Sequence, residues 1–191
     1  MIAGIVLAAG TSSRLGELKQ LLPFRGEPLV QHAIDAASEL DEIVIVLGHE
    51  AERVREAIEL PSPARVVVNP DYAQGQSTSV RAGLDAVSSR VEAVVVLLAD
   101  QPGVEAAHLR RIIDRWRETG AWIVRAHYDD GPSHPVLLDR AVWDEVRAVT
   151  GDAGAREVMR AHPDRVEDVR FDGPAPVDVD TDADYDRLTD A

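Results

Sequence analysis

The chain has 191 residues, and its 34 acidic side chains outnumber its 20 basic ones, for a formal net charge of −14. Such a charge repels nucleic acid and anionic membranes, so neither is an expected partner. The chain has no cysteine, which excludes disulfides and thiolate metal sites. Its apolar start, MIAGIVLAAG, has no basic n-region and is too short to span a bilayer, so we expect a cytoplasmic protein.

Apolar runs and helical stripes alternate from the start of the chain. Four apolar runs predict strands, namely IAGIVL, EIVIVLG, ARVVV and EAVVVLL. The first has no polar alternation, which is typical of a strand buried on both faces. After each run, apolar residues recur at helical spacing. Pro28 opens the first of these helices, and the clearest stripe follows the fourth run, at Leu109, Ile112, Ile113 and Trp116.

The second half of the chain continues this pattern. AWIVRA and HPVLL predict two more strands around the turn YDDGPS, helices flank TGDAGAR, and Thr181 with Asp184 can cap a final helix. Alternating strands and helices predict a mostly parallel sheet covered on both faces, a three-layer α/β/α sandwich forming a single domain over residues 1–191. Ligands lie beyond the carboxyl ends of such strands, so we expect the site where the loops after Leu7 and Leu98 meet.

The loop after the first strand, AAGTSSRLGELK, contains Lys19, the only lysine in a chain with 19 arginines. Its glycines match neither the dinucleotide fingerprint nor the Walker A loop. Small residues at Ala8, Ala9 and Gly10 let the backbone approach a base and phosphate oxygens. Arg14 offers a planar fork to phosphate, and Lys19 offers a compact charge. The residues alone favour either a phosphate-binding loop or a turn with two surface cations.

Two carboxylates are candidate metal ligands. Asp100 ends the most hydrophobic run, which is an unfavourable place for a charge unless it is paired or binds a cation. Mg²⁺ keeps several waters, so one or two carboxylates plus phosphate oxygens suffice to bind it. Asp180, just before Thr181, is the candidate second ligand, and the alternative is that it belongs to a solvated acidic tail.

The segment LAAGTSSRLGELKQLLPFRGEPLV resembles the nucleotidyltransferase signature L-A-(A/G)-G-x-x-x-R-(M/L)-G-x-x-K, and its continuation resembles the MobA/MocA-like NTP transferases. Later pieces fit in order and extend the resemblance over nearly the whole chain: GQSTSVRAGL, LLADQP, HPVLL, GDAGAR and VDVDTDADYDRL. Within this family, LAAG, DQP and GDAGAR are similar to the cytidylyltransferase subgroup.

This resemblance implies a nucleotidyltransferase-type fold and a Mg²⁺-dependent transfer of CMP, or another NMP, from the triphosphate to a phosphorylated acceptor. The implied acceptor is molybdopterin, with an acceptor molybdoenzyme or chaperone as a further partner. Arg14, Lys19 and Asp100 are the implied catalytic residues, and Asp100 and Asp180 are the implied metal ligands. The implied nucleotide-binding residues are Leu7, Ala8, Ala9, Gly10, Arg14, Lys19, Gly75 and Ser77.

Three further assignments remain open between two roles. Ser77 contacts the base or ribose, caps a helix, or does both. His134 is implied to bind the acceptor, and a structural role is the alternative. Arg156 contacts the acceptor or forms a salt bridge on a helix surface. The alternative functions are a transferase of the same fold with another acceptor, such as a sugar 1-phosphate, and a non-catalytic nucleotide-binding or cofactor-binding protein.

Overall fold

The computed structural model describes residues 1–11, 17–152 and 154–190. Within these residues, seven strands form one sheet in the order β5-β4-β1-β6-β8-β7-β9. Two short strands, β2 (Pro23–Phe24) and β3 (Glu27–Pro28), pair separately. The sheet strands are β1 (Ile2–Ala8), β4 (Glu42–Leu47), β5 (Ala64–Val68), β6 (Ala93–Leu98), β7 (Ile123–Tyr128), β8 (Gly131–Asp139) and β9 (Val166–Arg170).

The sheet is mostly parallel, as predicted. Strands β5, β4, β1 and β6 all run in one direction. Strand β8 is antiparallel to both β6 and β7, and β9 is parallel to β7. Leu7 pairs with Leu98, and the Ala99 N–H donates to the Leu7 carbonyl at 3.1 Å, so the carboxyl ends of β1 and β6 are level. The loops after Leu7 and Leu98 therefore leave the sheet side by side.

Helices cover both faces of the sheet and make three layers. Val6 and its neighbours on one face pack against α1 and α4, whereas Ile5 and Leu7 on the other face pack with residues of α3, α5 and α6. This alternation explains why β1 is apolar at every position. The helices are α1 (Leu29–Ala36), α2 (Ala51–Ala57), α3 (Gln76–Ala86), α4 (Ala106–Thr119), α5 (Trp143–Ala148), α6 (Arg156–Ala161) and α7 (Asp182–Thr189).

The C-terminal part of the chain both confirms and extends the predictions. Thr181 caps α7 through the predicted reciprocal contacts with Asp184: the Thr181 N–H donates to Asp184 Oδ2 at 2.8 Å, and the Asp184 N–H donates to Thr181 Oγ1 at 3.3 Å. Strand β9 is an addition, since its sequence VEDVR has no apolar run. No helix in the described ranges is long and apolar enough to cross a membrane.

Candidate active site

Lys19, Asp100 and Asp180 form an ion cluster at the carboxyl edge of the sheet. Lys19 begins a 3-10 turn (Lys19–Leu21), Asp100 follows β6, and Asp180 precedes the cap of α7. The Lys19 Nζ lies 2.5 Å from Asp100 Oδ2 and 2.6 Å from Asp180 Oδ1. The Val179 N–H donates to the Asp100 carbonyl at 3.1 Å, and this bond brings the C-terminal tail to the end of β6.

The cluster has the character of a cation site. Burial lowers the pKa of Lys19, but the neighbouring carboxylates of Asp100 and Asp180 outweigh it and raise that pKa above its ordinary value. Asp100 Oδ1 is buried and has no hydrogen-bond partner among the described residues. A buried oxygen of this kind is costly unless a ligand satisfies it. The two carboxylates therefore enclose one positive charge and leave an oxygen that can bind a second cation.

Two carboxylates suit a metal that also binds substrate phosphates. Among the described residues, no group of three or more His, Asp or Glu side chains is spaced to hold a metal ion by itself. Mg²⁺ typically takes one or two carboxylates and completes its octahedron with waters and phosphate oxygens. Asp100 and Asp180 thus fit a divalent cation that is bound together with a phosphorylated ligand.

A cavity of about 500 Å³, the β1 cavity, opens beside this cluster. Lys19 and Asp100 line it, and so do five other residues that the sequence assigns to nucleotide or metal binding: Leu7, Ala8, Ala9, Gly10 and Gly75. Ser77, which the sequence also assigns to nucleotide binding, is not among the described residues that line this cavity. It is buried, and its N–H donates to the Gly151 carbonyl at 3.1 Å. Ser79 contributes to the cavity wall instead. Arg14 lies outside the described residues.

Gln20 and Gly48, to which the sequence assigns no role, shape the β1 cavity. The buried Gln20 Nε2 donates to the carbonyls of Gly10 at 2.8 Å and Ala8 at 3.3 Å, and so holds the start of the loop. A Cβ added at Gly48 would lie 2.8 Å from the Ala9 Cβ, so only glycine lets the two loops approach. Gln20 stands next to Lys19 in the signature segment, which is the one signal that pointed to it.

A second cavity of about 250 Å³, the β8 cavity, adjoins the first and shares Leu7, Gln76 and Leu98 with it. His134 and Arg156, the two residues that the sequence assigns to the acceptor, both line this cavity. Its apolar wall consists of Leu7, Val80, Val96, Leu98, Val136 and Leu138. The structure therefore gathers the predicted acceptor residues in a place separate from the ion cluster but next to it.

Gln101 is a polar residue of the β8 cavity that sequence reasoning missed. Its side chain is 1% exposed, and Nε2 donates to Asp178 Oδ1 at 2.6 Å and Ser133 Oγ at 3.3 Å. Burial and the nearby Asp100 raise the pKa of Asp178 although Gln101 opposes the shift. Burial also lowers the pKa of His134 to about 4, so this imidazole is neutral at pH 7.

Fold and site together define a class of protein. A mostly parallel α/β sheet ends in two adjoining cavities, and a lysine with two carboxylates stands beside one of them. This is the position at which open α/β sheets bind ligands, and the charges suit a phosphorylated ligand with its cation. Comparison with known families agrees: the MobA-like NTP transferase domain matches residues 4–166, and the chain belongs to this family.

The relatives of this chain carry different activities in their names. Nicotine blue oxidoreductase of Paenarthrobacter nicotinovorans is 37% identical over 173 residues, which is 85% of this chain and 83% of that protein. Molybdenum cofactor cytidylyltransferase of Escherichia coli (strain K12) is 30% identical over 137 residues, which is 71% of this chain and 69% of the enzyme. The cytidylyltransferase is thus the less similar of the two, and the predicted subgroup does not follow from these similarities.

Solved structures agree with the fold over the whole chain. Rv0371c from Mycobacterium tuberculosis H37Rv is 38% identical with a TM-score of 0.89, covering 100% of this chain and 98% of that chain. A structure of Rv0371c in complex with manganese is 35% identical with a TM-score of 0.83, over the same shares of the two chains. The predicted family and its nucleotidyltransferase-like fold are therefore confirmed, and a relative has been solved with a divalent metal.

Proposed function

We propose that this protein transfers a nucleoside monophosphate, preferentially CMP, from a nucleoside triphosphate to a phosphorylated acceptor and that this acceptor is molybdopterin. The observation that carries the proposal is the Lys19 ammonium enclosed by Asp100 and Asp180 at the edge of the β1 cavity. Membership of the NTP transferase family supports the nucleotide half of the reaction.

The reaction is an in-line substitution at phosphorus. An oxygen of the acceptor phosphate bonds to the α-phosphorus, the bond from this phosphorus to the bridging oxygen breaks, and pyrophosphate leaves with that electron pair. A phosphate monoester is already ionised near neutral pH, so no side-chain base has to remove a proton. The protein contributes by aligning the two substrates and by neutralising charge on the phosphates.

Each charged residue has a proposed role in this substitution. Lys19 steadies the α-phosphate or the incoming phosphate, and Arg14 holds the leaving pyrophosphate through its planar fork. Asp100 and Asp180 would hold Mg²⁺ or Mn²⁺, which supplies charge neutralisation on the phosphate oxygens when bound. The manganese complex of Rv0371c supports a divalent cation in this family.

The β8 cavity is the proposed acceptor site. It joins the β1 cavity along Leu7, Gln76 and Leu98, so an acceptor there can direct its phosphate towards Lys19 and Asp100. Apolar walls suit a ring system, and a neutral His134 adds a polar contact without a charge. Arg156 provides a positive charge at the same cavity.

Pyrophosphate release tests the proposal directly. The protein is incubated with each of the four nucleoside triphosphates, Mg²⁺ or Mn²⁺, and either molybdopterin or a panel of sugar 1-phosphates, and the nucleotidyl product is identified by mass spectrometry. We expect release with CTP and molybdopterin. Activity with a sugar 1-phosphate instead would keep the transferase and replace the acceptor, whereas no release with any pair would overturn the enzyme assignment.

The acidic tail offers a matched pair of variants for this assay. Asp180→Asn removes a proposed metal ligand, and we expect it to abolish most of the activity. Asp186→Asn makes the same chemical change at an exposed position of α7 and should leave activity at the wild-type level. Equal activities of the two variants would place Asp180 in the solvated tail and not in the site.

A further inference from the structure

A groove lined by three arginines extends the β8 cavity. This arginine groove, of about 530 Å³, shares Arg125, Pro132, Arg156 and Met159 with the β8 cavity, and Arg160 adds a third guanidinium. In contrast, the groove has no described lining residue in common with the β1 cavity. The β8 cavity therefore lies between the ion cluster on one side and the arginines on the other.

The groove keeps a positive charge in a strongly acidic chain. Arg156 and Arg160 are four residues apart on α6, so they share a helix face, and like charges at this spacing destabilise a helix. Neither forms an ion pair or side-chain hydrogen bond with any residue in the described ranges. Arg125 is held by Asp168, whose Oδ1 lies 2.5 Å from its Nε. Among the described residues that line the groove, three guanidinium groups thus accompany a single carboxylate, that of Asp168.

The inner part of the β8 cavity presents a hydrogen-bond acceptor to a ligand. The carboxylate of Asp178 accepts from Gln101 Nε2, so the Gln101 amide is oriented with Oε1 as an acceptor. Gln101 Oε1 is buried and has no hydrogen-bond partner among the described residues. Buried polar atoms are almost always paired, so an N–H or O–H donor on a ligand is the expected partner. The cavity thus presents an acceptor atom inside, apolar walls, and positive charge at its outer end.

On the basis of the transferase function proposed above, we infer that the acceptor carries a second anionic group, remote from the phosphate that reacts. Arg156 and Arg160, with Arg125, bind this second group. A ring system of the acceptor lies in the β8 cavity and donates a hydrogen bond to Gln101 Oε1. The substrate class is therefore a phosphorylated heterocycle with an N–H edge and a second negative group.

A matched pair of ring compounds tests this inference without the natural acceptor. Binding of pterin and of pterin-6-carboxylate to the full chain is measured by fluorescence titration at low and high salt. We expect the carboxylate to bind about tenfold more tightly than pterin, the size of effect of a charged hydrogen bond. The advantage should shrink at high salt because ions screen exposed charges.

Variants assign the advantage to the arginines. Arg156→Ala combined with Arg160→Ala should reduce the preference for the carboxylate to less than twofold, and Arg160→Lys should keep part of it. Arg117→Ala removes the same charge from an exposed position on α4 and should keep the full preference. An unchanged preference in the double variant overturns the inference, and so does wild-type protein that binds both compounds equally or neither.

Binding of CTP with Mn²⁺, measured on the same proteins, separates this inference from the transferase function. We expect the double variant to bind CTP like the wild type, because the groove and the β1 cavity are lined by different residues. If CTP binds but the carboxylate has no advantage, the inference fails and the transferase function stands. If the carboxylate is preferred but CTP does not bind, the groove stands and the transferase function fails.

Discussion

The ion cluster and the arginine groove differ in their balance of cationic and anionic side chains. Among the described residues of the ion cluster, the Lys19 ammonium is enclosed by the carboxylates of Asp100 and Asp180. The described lining of the arginine groove has three guanidinium groups and a single carboxylate, that of Asp168. The first arrangement favours a ligand that brings a divalent cation with it, such as a metal-bound triphosphate, and the second favours a bare anion. The proposed reaction would thus use two different local arrangements of charge to bind two anionic substrates in a strongly acidic protein.

Lys19→Ala is the strongest test of the ion cluster. Loss of the ammonium removes a charge that we propose contacts the phosphates, so turnover should fall by about a thousandfold, the scale of losing a preorganised charge contact. The same change leaves Asp100 and Asp180 without the cation between them, so Mn²⁺ should bind the nucleotide-free variant more tightly. Turnover is followed by pyrophosphate release and Mn²⁺ binding by electron paramagnetic resonance.

Lys19→Arg is the control for this test, because it keeps the charge but changes the shape of the donor. It should retain more activity than Lys19→Ala and bind Mn²⁺ no more tightly than the wild type. Near-normal turnover of Lys19→Ala would mean that the ion cluster takes no part in the reaction.

Asp100→Asn changes the same cluster from the carboxylate side. We expect a loss of activity of about a hundredfold or more that added Mg²⁺ restores only slightly, because the amide keeps the shape but lacks the charge. The free protein should lose about 2 kcal/mol of unfolding free energy, because the half-buried contact from Lys19 to Asp100 Oδ2 loses its charge. Urea unfolding measures this second effect.

Asp114→Asn is the matched change for Asp100→Asn on an exposed surface pair, where the distance to Arg117 is 3.5 Å. It should alter the unfolding free energy by less than about 1 kcal/mol, since exposed pairs contribute little. Unchanged kinetics of Asp100→Asn would make Asp100 a purely structural residue.

The buried centre of the sheet and its edge also differ in how far the sequence predicts them. Strands β1, β4 and β6 are buried on both faces, so each is an uninterrupted apolar run that is easy to recognise. Strand β9 lies at the sheet edge and carries Glu167 and Asp168, which pair with Arg115 and Arg125. Such a strand has neither an apolar run nor a clean alternation, so sequence patterns do not identify it.

The contacts within the site also divide into those that the sequence predicts and those that only the fold shows. Separate features of the sequence point to Lys19, Asp100 and Asp180, namely the loop, the buried strand and the signature. Their meeting at one point depends on the bond from the Val179 N–H to the Asp100 carbonyl, a long-range register that no local pattern contains. Arg125 and Arg160 had no signal at all, because an arginine on a surface helix or edge is ordinary until the fold shows its neighbours.

His134→Gln tests whether the imidazole that lines the β8 cavity is neutral, so that this residue adds no positive charge to that of the arginine groove. Burial lowers the pKa of His134 to about 4, below the unfolded value near 6.5. Between these two values the unfolded chain binds the extra proton, so this group makes the wild type less stable as the pH falls from 6.5 towards 4. The total loss from this group is at most about 3 kcal/mol.

The measurement is the difference in unfolding free energy between the wild type and His134→Gln at pH 7.5 and at pH 4.5. We expect the wild type to lose more stability than the variant over this interval, because only the wild type carries the titrating imidazole. Parallel losses would mean that His134 accepts a proton in the folded state as readily as in the unfolded chain. Positive charge would then extend inward from the arginine groove, and the contrast with the cavity interior would weaken.

Ala9→Gly has the smallest expected effect and concerns the choice of base in the β1 cavity. Ala9 lines the cavity, is 6% exposed, and its Cβ lies where a side chain at Gly48 would have to fit. Removal of the methyl group opens space beside the proposed base site and frees the backbone. Cytosine is the smaller base, so the wild type should prefer CTP and the variant should use relatively more GTP. A methyl group contributes about 1–3 kcal/mol of discrimination at most, which predicts a shift in preference and not a switch.

Competition between equimolar CTP and GTP measures the ratio in which the two nucleotides are used. Ala99→Gly makes the same change at another position of the cavity wall, and there the ratio should not change. A wild type that prefers GTP would remove the cytidylyl assignment while the nucleotidyltransferase remains, because the base lies apart from the phosphates that the ion cluster is proposed to bind.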